Sequence, residues 1–424
     1  MYKKSEQLLD RALKSIPLAS QTFSKSLTQY PRGVSPFFIE KGKGARVWDV
    51  DGNEYVDFVN ALAAVTLGYC DKDIDGAVQE QMKSGVTFSL PHKLEMEVAE
   101  KLIQIIPCAE KVRFAKNGTD ATSAAVRIAR AYTGKEHIAV CGYHGWQDWY
   151  IGSTTRDLGV PQSVKELTHK FEYNNIESLE KIFQEQELAC VIMEPMNIEY
   201  PKNGFLKGVK ELAHKNNALF ILDETVTGFR YSLGGAQELF GVMPDLATFG
   251  KGMTNGYPLS AVVGSSEVMQ KVEDIFFSGT FGGETLSLAA VNAVIKKYES
   301  QNVPKYLEEI GTYLLKQLNQ LINSENLGDI FWTSGHPTWI FLHIKEQKEY
   351  FSFEIQTFFL QEMFKRGILT LGSHNLSFSH TKEDIDRLMK VYAEVLPMIK
   401  HHINNKDLLE NIQGEILKPL FKVR

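Results

Sequence analysis

Six short apolar runs, KVRFA, HIAVCG, ACVIME, ALFILDE, LATFG and LSAVVG, recur between about residues 100 and 265. Many of the stretches between them, such as DATSAAVRIARAYTG, read as helices that end in glycine. Runs that are apolar on both faces and separated by helices predict an α/β domain with a mainly parallel sheet covered by helices on both sides. In such sheets ligands bind beyond the carboxyl ends of the strands, so the residues after each run decide the chemistry.

A chain of 424 residues is expected to form about two domains. Near the N-terminus Leu9, Leu13 and Ile16 have helical spacing, and ARVWDVDGNEYVDFV alternates apolar and polar residues around Asp51-Gly52, a hairpin signal. Asp49 and Asp51 do not make a calcium loop, because the third early ligand and the closing glutamate are missing. Beyond residue 300, Ile385, Leu388, Met389, Tyr392, Val395 and Leu396 line one helical face after a cap-like Thr381. The predicted division is a large domain over 56–300 and a smaller α+β domain that joins 1–55 to 301–424.

The formal charge of −6 provides no basic footprint for nucleic acid or an acidic membrane, so small molecules are the expected partners. No apolar run approaches a membrane span and the start lacks a continuous signal-peptide core. Cys70, Cys108, Cys141 and Cys190 are scattered with no C-x-x-C pair and read as buried free thiols. These features predict a cytoplasmic protein without a metal site.

Four strand ends carry candidate chemistry. After KVRFA, Lys116-Asn117-Gly118-Thr119-Asp120 opens a helix whose unpaired N–H groups would seat a phosphate; a plain N-cap explains the same residues. After HIAVCG, Tyr143 and Trp146 are aromatics that could meet a planar ligand or fill core, and His144 between them reads as a hydrogen-bonded structural histidine. After ALFIL stands Asp223, an acid that needs a cation or donor in so apolar a place. After LATFG stands Lys251, followed by glycine rather than the serine or threonine of a P-loop. A phosphate seat, an aromatic, a carboxylate and a lysine together match pyridoxal 5'-phosphate, which needs an amine for a Schiff base, an acid for its pyridine nitrogen and N–H groups for its phosphate.

At these residues the chain resembles the class III aminotransferases of fold type I, and within them the glutamate-1-semialdehyde aminomutase branch. The resemblance runs from about residue 30 to 400 through WDVDGNEYVDFV, NGTDATSAAVRIARAYTG, YHGW, MEP, LDETVTGFRYSLGGAQELFGVMPDLATFGKGMTNGYPLSAVVG and SGTFGGETLSLAA. It implies that Lys251 forms the Schiff base and Asp223 partners the ring nitrogen. It also implies Gly118 and Thr119 at the phosphate, Tyr143 on the ring face, Glu194 near the cofactor hydroxyl, and a homodimer in which Thr280 reaches the neighbouring phosphate.

Three departures bear on the reaction. Thr225 stands where the family usually has valine after Asp-Glu. Phe38 stands where the aminomutases carry an arginine for the substrate carboxylate, with Arg32 close in sequence, and the loop after Leu369 has no arginine before Arg387. Glu199 matches a gating glutamate of 4-aminobutyrate aminotransferases, although a surface glutamate would look the same. The expectation is an aminotransferase acting on an amino donor and a carbonyl acceptor, of sugar-like or phosphorylated character given Phe37, Phe38 and Trp146. The alternatives are a glutamate-1-semialdehyde 2,1-aminomutase and a non-catalytic cofactor-binding protein.

Overall fold

The computed structural model describes residues 1–196 and 198–418; the last six residues of the expected C-terminal domain lie outside them. Two compact units form, one from Met1–Asp71 and residues 305–418, the other from Lys72–Pro304. Relative to the expected boundaries, residues 56–71 go to the first unit for a physical reason. Strand Glu54–Asp57 is paired on both sides, with Arg46–Asp49 and with Ile368–Leu369, and Tyr69 exchanges backbone hydrogen bonds of 2.8 Å with Gly44.

The second unit holds a seven-stranded sheet in the order Lys111–Ala115, Ser260–Gly264, Leu246–Phe249, Leu219–Asp223, Leu188–Met193, His137–Cys141, Thr168–Lys170. All six apolar runs are strands, and Thr168–Lys170 is an additional short edge strand. Every pairing is parallel except the two made by Ser260–Gly264, so the other six strands run one way and present their carboxyl ends on one edge of the sheet. The inner strands are buried on both faces, as continuous apolar runs require. Helix Gly118–Thr133 packs on the sheet with Ala121, Ala124, Ala125, Ile128 and Ala129 buried, and ends at Gly134, whose φ of +72° suits glycine.

In the first unit the predicted hairpin pairs Val47 with Tyr55 across a turn at Gly52, φ +89°. The Asp51 carboxylate accepts the N–H groups of Lys4 (2.7 Å) and Ser5 (2.9 Å) and so caps helix Lys3–Ala12. That helix buries Leu9 and stops before Leu13, which is exposed. Helix Lys382–Asn405 opens on the expected Thr381 cap, with Asp384 completing a capping box. Three cysteines are buried, whereas Cys70 is exposed.

Just after the hairpin, Asn60, Ala61, Leu62 and Ala63 all have positive φ, 44°, 49°, 60° and 68°. Left-handed geometry costs a non-glycine residue roughly 1–2 kcal/mol, so four in succession need outside support. Asp57 accepts the N–H groups of Val59 (2.7 Å) and Asn60 (3.0 Å). From far along the chain, the Asn375 amide donates to the Val59 carbonyl at 2.7 Å, and the Asn60 amide donates to the Asn375 carbonyl.

Candidate active site

Asp223 ends its strand as a fully buried carboxylate, and the surrounding residues supply what burial removes. Its Oδ1 accepts the Thr225 hydroxyl at 2.6 Å, the Thr225 N–H at 3.1 Å and the Thr248 hydroxyl at 3.0 Å. Its Oδ2 meets Nδ1 of His144 at 2.8 Å. Burial works to raise the Asp223 pKa, but the hydrogen bonds and charge of His144, with the two bonds from Thr225, more than offset it and leave the group below the ordinary aspartate value. His144 is itself buried, stacks on Trp149 with ring centroids 6.3 Å apart, and has no hydrogen-bond partner at Nε2 among the described residues.

Helix Gly118–Thr133 begins beside this carboxylate. Asn117 is its N-cap, and Asp120 accepts the Asn117 N–H at 2.8 Å. A Cβ on Gly118 would lie 2.8 Å from the Thr225 methyl, and one on Gly250 3.4 Å from that same methyl. Thr225 therefore touches the helix start, the buried acid and the residue before Lys251. Lys251 opens a short 3-10 turn, Lys251–Thr254, with φ +44°, a left-handed lysine of the kind that marks functional strain.

The other predicted residues divide into two groups. Glu194 follows strand Leu188–Met193, is buried, and accepts the Tyr143 N–H at 3.0 Å. Thr119 accepts the Trp146 N–H at 3.3 Å and lies where a Cβ on Gly145 would come within 2.3 Å of its hydroxyl. Thus Gly118, Thr119, Tyr143, Glu194, Asp223 and Lys251 share the carboxyl edge of one sheet, Tyr143 packing edge-on to Tyr150 at 5.7 Å. Trp146 is 67% exposed and Thr280 is exposed, in the stretch before helix Thr285–Gln301.

Arg32 and Phe38 belong to the other unit. The Arg32 guanidinium bonds Glu6 at 3.1 Å and also Asp10, both raising its pKa, so it offers a substrate carboxylate only a cation already engaged by two acids. Phe38 is half-buried, and its carbonyl accepts the Val50 N–H at 3.0 Å. Glu199 is exposed and pairs with Lys202 at 2.7 Å, which lowers its pKa as a surface glutamate's would be lowered. Sequence reasoning placed neither His144 nor Thr248 at the acid. Both are separated from Asp223 along the chain, by 79 and 25 positions, and no local spacing marks the contact.

The donor set fits pyridoxal phosphate. A helix N-terminus can take the phosphate, a lysine the aldehyde, and a buried acid kept ionised, with acceptor capacity left on Oδ2, the pyridine nitrogen.

The family model described as "Aminotransferase class-III" matches residues 29–392. The 3-aminobutyryl-CoA aminotransferase of Cloacimonas acidaminovorans is 34% identical over 94% of this chain and 97% of its own. The glutamate-1-semialdehyde 2,1-aminomutase of Caldicellulosiruptor saccharolyticus is 33% identical over 94% and 99%, and further aminomutases match at 31 to 38%. Among solved structures, the PLP internal aldimine form of the FumI protein of Sphingopyxis sp. MTA144 superposes with a TM-score of 0.88 at 25% identity, covering 97% of this chain and 99% of that one. No helix among the described residues is long and apolar enough to cross a membrane.

Proposed function

We propose, from the premise that this chain belongs to the class III aminotransferase family, that it moves an amino group between small molecules with Lys251 and Asp223 as its working residues. The observation that carries the reading is the Asp223 carboxylate, buried and held ionised at the same sheet edge as Lys251. Bound pyridoxal phosphate supplies an electrophilic aldehyde and a ring that accepts electrons. The Lys251 amine holds the cofactor, and when released it takes the proton from the substrate carbon that bears nitrogen and returns one. Asp223 keeps the ring nitrogen protonated, and the N–H groups at Gly118 and Thr119 fix the phosphate.

Two outcomes are open to this chemistry. The comparisons favour intramolecular transfer on glutamate-1-semialdehyde, the activity named for most of the relatives above. Phe38, and an Arg32 engaged by Glu6 and Asp10, favour transfer between two molecules, as in the relative named 3-aminobutyryl-CoA aminotransferase. Nothing in the comparisons supports a sugar-like or phosphorylated acceptor.

The deciding assay supplies glutamate-1-semialdehyde alone and follows 5-aminolevulinate. Sustained formation without added donor or acceptor is the expected result. Its absence, together with turnover when 3-amino acids and 2-oxoglutarate are supplied, would replace the aminomutase reading with the intermolecular one.

In this reading the active unit is a homodimer with Thr280 reaching the phosphate of the neighbouring site. The support is an apolar strip: Phe276 and Phe281 flank Thr280 and are exposed, and so are Val86 and Phe88. The Val86 carbonyl accepts both the N–H and the hydroxyl of Thr285, four residues beyond Phe281, which brings these segments together. Exposed patches of this kind mark interaction surfaces. Mixing Lys251→Ala with Thr280→Ala subunits is expected to restore activity, because one site of each heterodimer is then intact. Proven subunit exchange without recovery would show that each site is built from one chain.

A further inference from the structure

Among the described residues Asp223 receives four hydrogen bonds, distributed unevenly. Three reach Oδ1, from the Thr225 hydroxyl, the Thr225 N–H and the Thr248 hydroxyl, and one reaches Oδ2, from His144. An ionised carboxylate offers about two lone-pair sites per oxygen, so Oδ1 is saturated and Oδ2 is not. The Thr225 bond is the shortest of the four at 2.6 Å, in the range of a charge-assisted O–H···O⁻ contact. Valine at this position would have the same shape and no donor.

We propose that Thr225 is a positioning residue for the amino transfer, its hydroxyl pinning Oδ1 of Asp223 so that Oδ2 is the oxygen left to meet the ring nitrogen of pyridoxal phosphate. The inference rests on the function assigned above and adds a residue to it. Packing fixes the threonine rotamer that makes this bond. Its methyl fills the space beside Gly118 and Gly250, where added Cβ atoms would lie 2.8 and 3.4 Å away, and a β-branched side chain has few alternatives. Among the described residues, the titratable group bonded to Asp223 is His144; Thr225 and Thr248 are neutral donors.

The shapes of valine and serine separate the two roles of this side chain. Thr225→Val keeps the methyl packing and removes the donor, whereas Thr225→Ser keeps the donor and removes the methyl. With cofactor bound, Thr225→Val is expected to lower kcat about tenfold while KM for the amino donor stays within about twofold, the loss of one hydrogen bond to a charged group. Thr225→Ser is expected to stay near wild type in both.

A second measurement needs neither cofactor nor substrate. Asp223 has a depressed folded-state pKa, so its contribution to stability is present above the unfolded pKa and is lost as pH falls through the folded one. Removing one of the bonds that depress it raises the folded pKa, so cofactor-free Thr225→Val should begin to unfold at higher pH than wild type, and Thr225→Ser should not. Equal acid profiles for wild type and Thr225→Val would overturn the proposal, as would Thr225→Ser matching Thr225→Val in both measurements, which would assign the effect to packing. A wild-type chain inactive on every donor would instead count against the reaction class, and the acid comparison would still decide the hydrogen bond.

Discussion

Lys251→Ala is expected to reduce turnover by about 10³-fold or more, since it removes the covalent anchor of the cofactor and the proton-transfer group together. A positioned acid–base group alone contributes about 10² to 10⁴. The left-handed backbone of Lys251 makes the residue difficult to replace, because a lysine elsewhere on the loop would not start from the same φ of +44°. Stopped-flow measurement of the half-reaction with a saturating donor gives the rate. Borohydride reduction of wild type followed by peptide mapping should place the cofactor label on Lys251. A label on another lysine, or an alanine variant within tenfold of wild type, would refute the assignment.

Asp223→Asn is expected to keep the fold and retain cofactor while losing about 100-fold or more in kcat. Removing one member of a buried charge pair costs roughly 3–5 kcal/mol. The asparagine carbonyl can still accept from Thr225 and Thr248, so Oδ1 loses little. The change falls on the other atom, where an N–H₂ replaces Oδ2 and turns an acceptor into a donor facing both His144 and the ring nitrogen. An unprotonated ring is a poor electron sink. Turnover near wild type with saturating cofactor would remove Asp223 from the mechanism.

Much of this was legible in the sequence because the sheet is buried on both faces. Runs such as ALFIL and ACVI are apolar throughout, so their place in the sheet follows from composition alone. Strand direction left no such trace. LSAVVG reads like its neighbours, yet Ser260–Gly264 runs antiparallel to both strands it pairs with. The edge strand Thr168–Lys170 has three residues and none of its side chains is strongly apolar, too little for a periodic signal. Among the candidate residues, those carried by a strand end or helix start, Asp223, Gly118 and Lys251, have a place at the sheet edge that the sequence pattern made readable. Partners brought by the tertiary fold were not. His144 has the hydrogen bond expected of it, but the sequence does not say that its acceptor is Asp223, and the engagement of Arg32 by Glu6 and Asp10 depends on where helix Lys3–Ala12 lies.

The left-handed turn at Asn60–Ala63 also bears on how the chain is made. The asparagine that braces it, Asn375, is 315 positions further along. Synthesis at about 5–20 residues per second separates the two by roughly 15 to 60 s. The unit formed by Lys72–Pro304 is continuous and can close around its sheet during that interval. The N-terminal hairpin leaves the ribosome early with one edge of Glu54–Asp57 unpaired, because its partner Ile368–Leu369 has yet to be translated. The strained turn is therefore among the last features to form, and the nascent N-terminal segment is an unpaired strand edge until then, the feature most open to pairing with another chain.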